Sequence, residues 1–266
     1  MKMEAKKIRN PFPQVWKVFK YEILNSYRVL LPVYAVLLGV SLIAGIVVFR
    51  DDSLDIFENN SDNLIRGIIL MVAFVLFIAS FVVSIFIIEK RFQKGMLGDE
   101  AYLNLSLPVT MGEHVWGRAL AAFVWALGYV LINLLAISLL AIRAWPDGFF
   151  IEAIQTYREN ITELGASFIP AVLCAATSGF LFLVMFIYVV KAIAHLVKKH
   201  RTLVEVVVVV VMIAIMNRIG FSVFDLEGII HNVAQGMWFV TLCNTVYIIL
   251  FGVATQLILS FKLNLE

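Results

Sequence analysis

An all-α, polytopic membrane fold is what this sequence predicts, and three observations carry that reading. Apolar residues make up 62% of the chain and charged residues only 15%. Mean hydropathy is +0.93, far from that of an ordinary soluble domain. Apolar runs of roughly 20 residues, enough to cross about 30 Å of hydrocarbon at 1.5 Å per residue, recur six times, and the basic residues between them are distributed unevenly. The expected spans are residues 29–49, 64–88, 119–142, 168–190, 203–221 and 237–261, in one transmembrane helical domain over 1–266.

The N-terminal segment is basic but lacks a short apolar core with a small-residue cleavage site, so span one is expected to be an uncleaved anchor. Just before it, Val15, Trp16, Phe19, Ile23 and Tyr27 fall along one helical stripe, with Lys17, Lys20, Glu22 and Arg28 on other faces. That pattern predicts an interfacial elbow helix in the headgroup plane, or else a cap packed on the bundle. Span one carries Ala35-x-x-x-Gly39 and Ser41-x-x-x-Gly45. Such small-residue spacings permit close helix approach, between two copies or within one. The loop that follows holds Asp51, Asp52, Asp55, Glu58 and Asp62 and reads as a solvated turn.

Orientation follows from Lys and Arg. Of the 21 basic side chains, only Arg50, Arg66, Arg143, Arg158 and Arg218 fall on one side of the predicted topology. The rest gather in the N-terminal segment, in the loops after spans two and four, and at Lys262. The positive-inside rule therefore places both termini in the cytoplasm, and with them the loop 89–118.

Within that loop lies the least generic sequence of the chain, the insert from Arg91 to Val109. Gly98 ends a preceding helix, Asp99 caps a new one by accepting backbone N–H groups, and Glu100 places favourable charge in its first turn. Tyr102, Leu103 and Leu105 add an apolar face, and Pro108 stops the element. A helix of about two turns is unstable alone in water, so it needs a partner surface.

Beyond span three, Phe150, Ile154, Tyr157, Ile161 and Leu164 recur at helical spacing with Glu152, Arg158, Glu159 and Glu163 facing away. Residues 149–164 are thus expected to form an outer amphipathic helix, resting on the membrane surface or covering an exit path. Span five is the weakest of the six. Its clean core runs only from Val206 to Met216, bounded by Glu205, Asn217 and Arg218, and it is counted because an odd number of spans sets the basic loops on conflicting sides.

Enzymatic chemistry finds little footing. The four histidines, His114, His195, His200 and His231, make no H-E-x-x-H, and they read as positive residues at headgroup level. Glu205 is the only acid expected at membrane depth, one short of an aspartyl-protease pair, and no G-x-S-x-G elbow exists. Cys174 and Cys243 fall inside spans as small packing residues, so no metal or redox centre is expected. Asn133, Thr177, Ser178, Asn244 and Gln256 are the polar residues of the span interiors. Such groups more often join helices than bind a coupling ion. The chain also lacks a phosphate-binding G-x-x-x-x-G-K-[ST] loop, so a transporter of this composition has to borrow its energy from a separate ATPase.

The run Arg91-Phe-x-x-Lys94, Leu97-Gly-Asp-Glu100, Tyr102-Leu103 and Leu107-Pro-Val109 resembles the cytoplasmic signature of permease subunits of type-2 ATP-binding cassette exporters of Firmicutes. In that family the loop reads like R-F-Y-K-N-L-x-G-D-E-G-Y-L-x-x-T-L-P-V. This chain departs from it at Gln93, Gly95, Ala101 and Ser106, and the Gly-Asp-Glu core stays intact. The resemblance covers about 19 residues of motif and the span layout of the whole chain. It implies a cell-membrane homodimer or pseudo-dimer of six-helix permeases joined to two ATPase subunits that bind the ATP and Mg. It also implies a coupling helix at Gly98, Asp99, Glu100, Tyr102, Leu103 and Leu105 seated in an ATPase groove, with Tyr102 and Leu103 inserted. Family members of this kind export amphipathic peptides, including those of the phenol-soluble-modulin and antimicrobial types. A lipid or hydrophobic-drug exporter, or a non-transporting membrane sensor, is the alternative; no nucleic-acid partner is expected.

Overall fold

The computed structural model describes residues 12–48, 61–98, 101, 109–140, 149–197, 199–223 and 231–262. Asp99, Glu100, Tyr102, Leu103 and Leu105 lie outside the described residues, as do Asp51, Asp52, Asp55 and Glu58. The described residues form helices α1 (Phe12–Val48), α2 (Ser61–Phe92), α3 (Met111–Leu140), α4 (Phe149–Glu159), α5 (Ile161–Leu164), α6 (Phe168–Ala194), α7 (Arg201–Val223) and α8 (Val233–Lys262). A π-helical turn, Gln93–Leu97, extends α2.

Among the described residues, five helical segments are long and apolar enough to cross a membrane: Phe12–Val48, Leu64–Leu97, Met111–Leu140, Ile161–Ala194 and Val233–Phe261. Their outer faces are inverted relative to a soluble protein. Leu31, Ile68, Phe74, Leu131 and Leu242 are each more than half exposed. That is a surface made for lipid rather than water. α7 occupies the place of the expected fifth span but is not among the five found in the described residues; Glu205 and Arg218 bound its apolar core.

α6 is the centre of the bundle. It packs most extensively on α8 and also meets α2, α3 and α7, while α1 packs chiefly on α3 and α2. The core is built from Phe180, Val184, Met185, Tyr188 and Val189 of α6 against Ala119, Ala122 and Ala126 of α3 and Ile248, Phe251 and Leu259 of α8. Alanines on α3 let the backbones approach, which is how helices gain dispersion energy where burial from water is absent.

Span one and the expected elbow are a single unbroken helix of 37 residues. At 1.5 Å per residue α1 is about 56 Å long, so roughly 17 residues project beyond ~30 Å of hydrocarbon. The projecting part packs on α3: a Cβ added at Gly117 would lie 2.8 Å from Val18. Ser26 and Leu30 are buried, while Phe12, Trp16, Tyr21, Leu24 and Tyr27 face outward. The expected stripe is therefore split: Val15, Phe19 and Ile23 are half-buried on the inward side with Glu22 and Ser26, while Trp16 and Tyr27 are exposed. The small residues of span one divide likewise. Ser41 and Gly45 are buried, and a Cβ at Gly45 would overlap the carbonyl oxygens of Leu139 and Leu140. They serve packing within the chain, whereas Gly39 has open space around it.

The outer amphipathic segment is helical but broken at Asn160 into α4 and α5. Tyr157 Oη donates to the carbonyls of Gly165 (3.0 Å) and Ala166 (2.9 Å), and Trp238 Nε1 donates to Ser167 Oγ (3.0 Å). Gly165 takes φ +88°, a left-handed conformation that glycine adopts without a Cβ penalty. Of the span-interior polar residues, Asn244 Nδ2 donates to Ser178 Oγ (3.2 Å) across α8 and α6, and Gln256 Oε1 accepts from Trp116 Nε1 (3.2 Å) across α8 and α3. Asn133 and Thr177 donate to carbonyls of their own helices.

Candidate functional site

The root of the insert is the most polar and most tightly held part of the described molecule. α2 continues past Phe92 into the π-turn Gln93–Leu97, whose fifth-residue hydrogen bonding widens the helix by one residue. That widening turns Phe92, Gly95 and Met96 inward together; Phe92 and Met96 are fully buried. Phe92 stacks on Tyr188 of α6, centroids 3.9 Å apart and planes 12° from parallel.

Arg118, about two turns into α3, fastens the same turn. Its Nη1 donates to the carbonyls of Arg91 (3.2 Å) and Phe92 (3.4 Å), the groups that the change from α to π pattern leaves available. Gly95 is where the guanidinium sits: a Cβ there would overlap Nη2 and lie 2.9 Å from Nη1. Glu22 of α1 places Oε2 4.0 Å from Arg118 Nε, and Arg91 donates to the carbonyl of Asn25. A guanidinium 4% exposed needs compensating charge, and Glu22 supplies it from the inward side of α1.

A second ionic cluster lies beside the stack. Lys191, one turn beyond Tyr188, sits 2.9 Å from both Glu89 of α2 and Glu205 of α7. Its ammonium ties three helices with charge-assisted bonds. On the far side of the insert, Thr110 and Glu113 form a reciprocal capping box: Thr110 N donates to Glu113 Oε2 (2.7 Å) and Glu113 N to Thr110 Oγ1 (3.3 Å). Both flanks of the insert are thereby fixed.

Among the expected coupling residues, Gly98 is described. It ends the π-turn, as expected, but with extended backbone (φ −108°) rather than a left-handed cap. Ala101 N donates to the Gly98 carbonyl (2.9 Å), and Ala101 is buried. Sequence reasoning passed over Glu22, Arg118 and the Lys191 triad. The capping box was readable directly as T-x-x-E before an apolar run. His195, at the C-cap of α6, does not fit a cationic headgroup-level residue: partial burial, and then the nearby Arg201 charge, pull its pKa below the ordinary histidine value of 6.5.

No family model, curated protein or solved structure matches this chain.

Proposed function

We propose that this chain is the membrane permease subunit of an ATP-binding cassette exporter, and that residues 98–105 are its coupling element. The observation that carries the reading is the double anchoring of the insert's flanks. Upstream, Phe92, Met96 and the Arg118–Gly95 contact bind it to α6, α3 and α1; downstream, the Thr110–Glu113 box starts α3 as a rigid rod. A force applied between such flanks passes to several helices instead of dissipating in a loop.

In this reading six spans cross the cell membrane, α7 included, with both termini and the insert in the cytoplasm. Two copies pair with two ATPase subunits, which bind ATP and Mg. ATP-driven closure of the ATPases draws the two inserts together and rocks the bundles toward an outward-open state; the nucleotide does this by binding the two states unequally. The cargo is an amphipathic peptide. The spans hold few charged groups, and α2, α3 and α6 enclose an apolar groove of about 480 Å³ lined by Phe81, Tyr129 and Asn133.

If a neighbouring reading frame encodes a Walker-type ATPase, co-expression with that protein tests the proposal. Asp99→Lys and Tyr102→Ala are expected to abolish co-purification and peptide export while leaving the permease folded. If both variants retain ATPase and transport, the coupling assignment fails.

A further inference from the structure

Between Arg118 and Leu140 in α3, Phe168 and Val190 in α6, and Val233 and Phe261 in α8, only Arg118 itself is charged. α7 is different. At its first turn Glu205 is fixed by Lys191, 2.9 Å away, which also holds Glu89, so this end of α7 lies level with the root of the insert. Arg218 follows 13 residues later, about 20 Å along the helix axis and therefore about 10 Å short of the far edge of ~30 Å of hydrocarbon. The helix itself continues to Val223. Arg218 thus sits within the apolar layer and not at its rim.

Two features hold it there. Met212 and Met216 pack against the core cluster that α6 centres, so α7 stays against the bundle at this height and leaves Asn217 and Arg218 exposed on its outer side. The Cα–Cβ bonds of a helix tilt toward its N-terminus, which in α7 is the insert end, so the Arg218 side chain sets out toward the middle of the layer. Reaching the far surface runs against that direction. An exposed guanidinium at such depth is stable where phosphate oxygens and water come to it, by snorkelling or by local thinning of the bilayer. With snorkelling opposed by the helix direction, thinning is left, and the planar fork of donors on Arg matches a phosphate bidentately.

We propose that Arg218 holds the phosphate of a far-leaflet phospholipid below its normal level on the exposed face of α7, thinning the bilayer beside this helix. The ligand is the phosphate that zwitterionic and anionic phospholipids share. The proposal rests on the reading of α7 as the fifth span and is independent of what the insert docks to. An amphipathic molecule moving along α7 then crosses an apolar path set by Val206–Met216, roughly 16 Å, instead of the full layer.

The test uses the full-length protein without any ATPase, one copy per phosphatidylcholine nanodisc, in phosphate-free buffer. Cys174→Ser and Cys243→Ser clear the background, and a single spin label is attached at Ile215→Cys, Val210→Cys or Leu131→Cys, all three positions being more than half exposed. Collision with a water-soluble nickel complex, relative to oxygen, reads the depth of each label. Ile215 lies one turn below Arg218 on the same face, and Leu131 lies 13 residues beyond Arg118 at a comparable height on α3. The Ile215 label is expected to meet nickel several-fold more often than the Leu131 label, while Val210, deeper toward the insert end, meets mainly oxygen. Arg218→Leu is expected to remove the excess at Ile215 and Arg218→Lys to retain much of it. Discs of digalactosyldiacylglycerol, a bilayer lipid without phosphate, are expected to remove it as well.

An Ile215 label no wetter than Leu131, or one unaltered by Arg218→Leu, overturns the proposal. So does an excess that persists in the galactolipid, which marks water alone or an acidic protein group in place of lipid phosphate. A Val210 label open to nickel shows that α7 is not a span, and the proposal then falls together with the six-span reading; with Val210 dry, failure at Ile215 removes this proposal alone.

Discussion

Phe92 and Tyr188 lie face to face, 3.9 Å between centroids and 12° from parallel, and both are buried. The pair joins the last α-helical residue of α2 to the C-terminal third of α6, so the insert starts from a fixed point. One turn away on each helix, Glu89 and Lys191 make the 2.9 Å ion pair. Packing and charge thus act at the same level of the bundle.

Phe92→Ala is expected to lower stability by about 3–5 kcal/mol, the range for emptying a buried aromatic site. Phe92→Leu, closer in volume, should recover much of that. Thermal unfolding of the purified protein in detergent reads both. A loss below about 1 kcal/mol for Phe92→Ala counts against the stack as an anchor.

Gly95→Ala places a methyl group where the Arg118 guanidinium lies, so Arg118 must leave the carbonyls of Arg91 and Phe92. The expected cost is about 1–3 kcal/mol. In a double-mutant cycle with Arg118→Met the two effects should be clearly less than additive, since one contact is lost twice. Strict additivity contradicts the contact.

Lys191→Met strands Glu89 and Glu205 beside each other, each less than a quarter exposed. Breaking such a cluster from one side costs on the order of 3–5 kcal/mol. Adding Glu89→Gln and Glu205→Gln should restore most of it, because the repulsion disappears with the charges. Chemical unfolding of the single and triple variants gives the comparison.

His195 lies beyond the last residue of its span, and its pKa is lowered by burial and by Arg201. A base whose folded pKa lies below its unfolded value of 6.5 binds fewer protons when folded, so stability is fullest above that value and falls as the pH drops through it. Wild type should therefore melt lower at about pH 5.5 than at about pH 7.5 relative to His195→Gln. Parallel pH dependence in the two proteins rejects this assignment.

Helix positions were legible because a membrane span needs length and apolarity, both of which are local properties. The runs around α1, α2, α3, α6 and α8 announce themselves without any partner. Which face of α1 turns inward was legible only in part. Val15, Phe19 and Ile23 of the expected stripe are half-buried, but Trp16 and Tyr27 are exposed, and Glu22 joins the inward side by turning toward Arg118, 96 residues downstream. Hydrophobicity does not sort faces where the surroundings are themselves apolar. The π-turn escaped for a related reason: Gln93-Lys-Gly-Met-Leu97 reads as the end of an ordinary helix until Phe92, Gly95 and Met96 are given something to pack against.

That turn constrains how the gene is able to vary. The π path from Gln93 to Leu97 contains one residue more than an α path needs. Deleting exposed Gln93 or Lys94 gives a regular helix with better local hydrogen bonds, yet rotates every later residue by about 100° and swings the insert's exit toward a different neighbour. Substitutions at these two positions leave the exit direction intact. What inheritance must preserve here is a count of residues more than their identity.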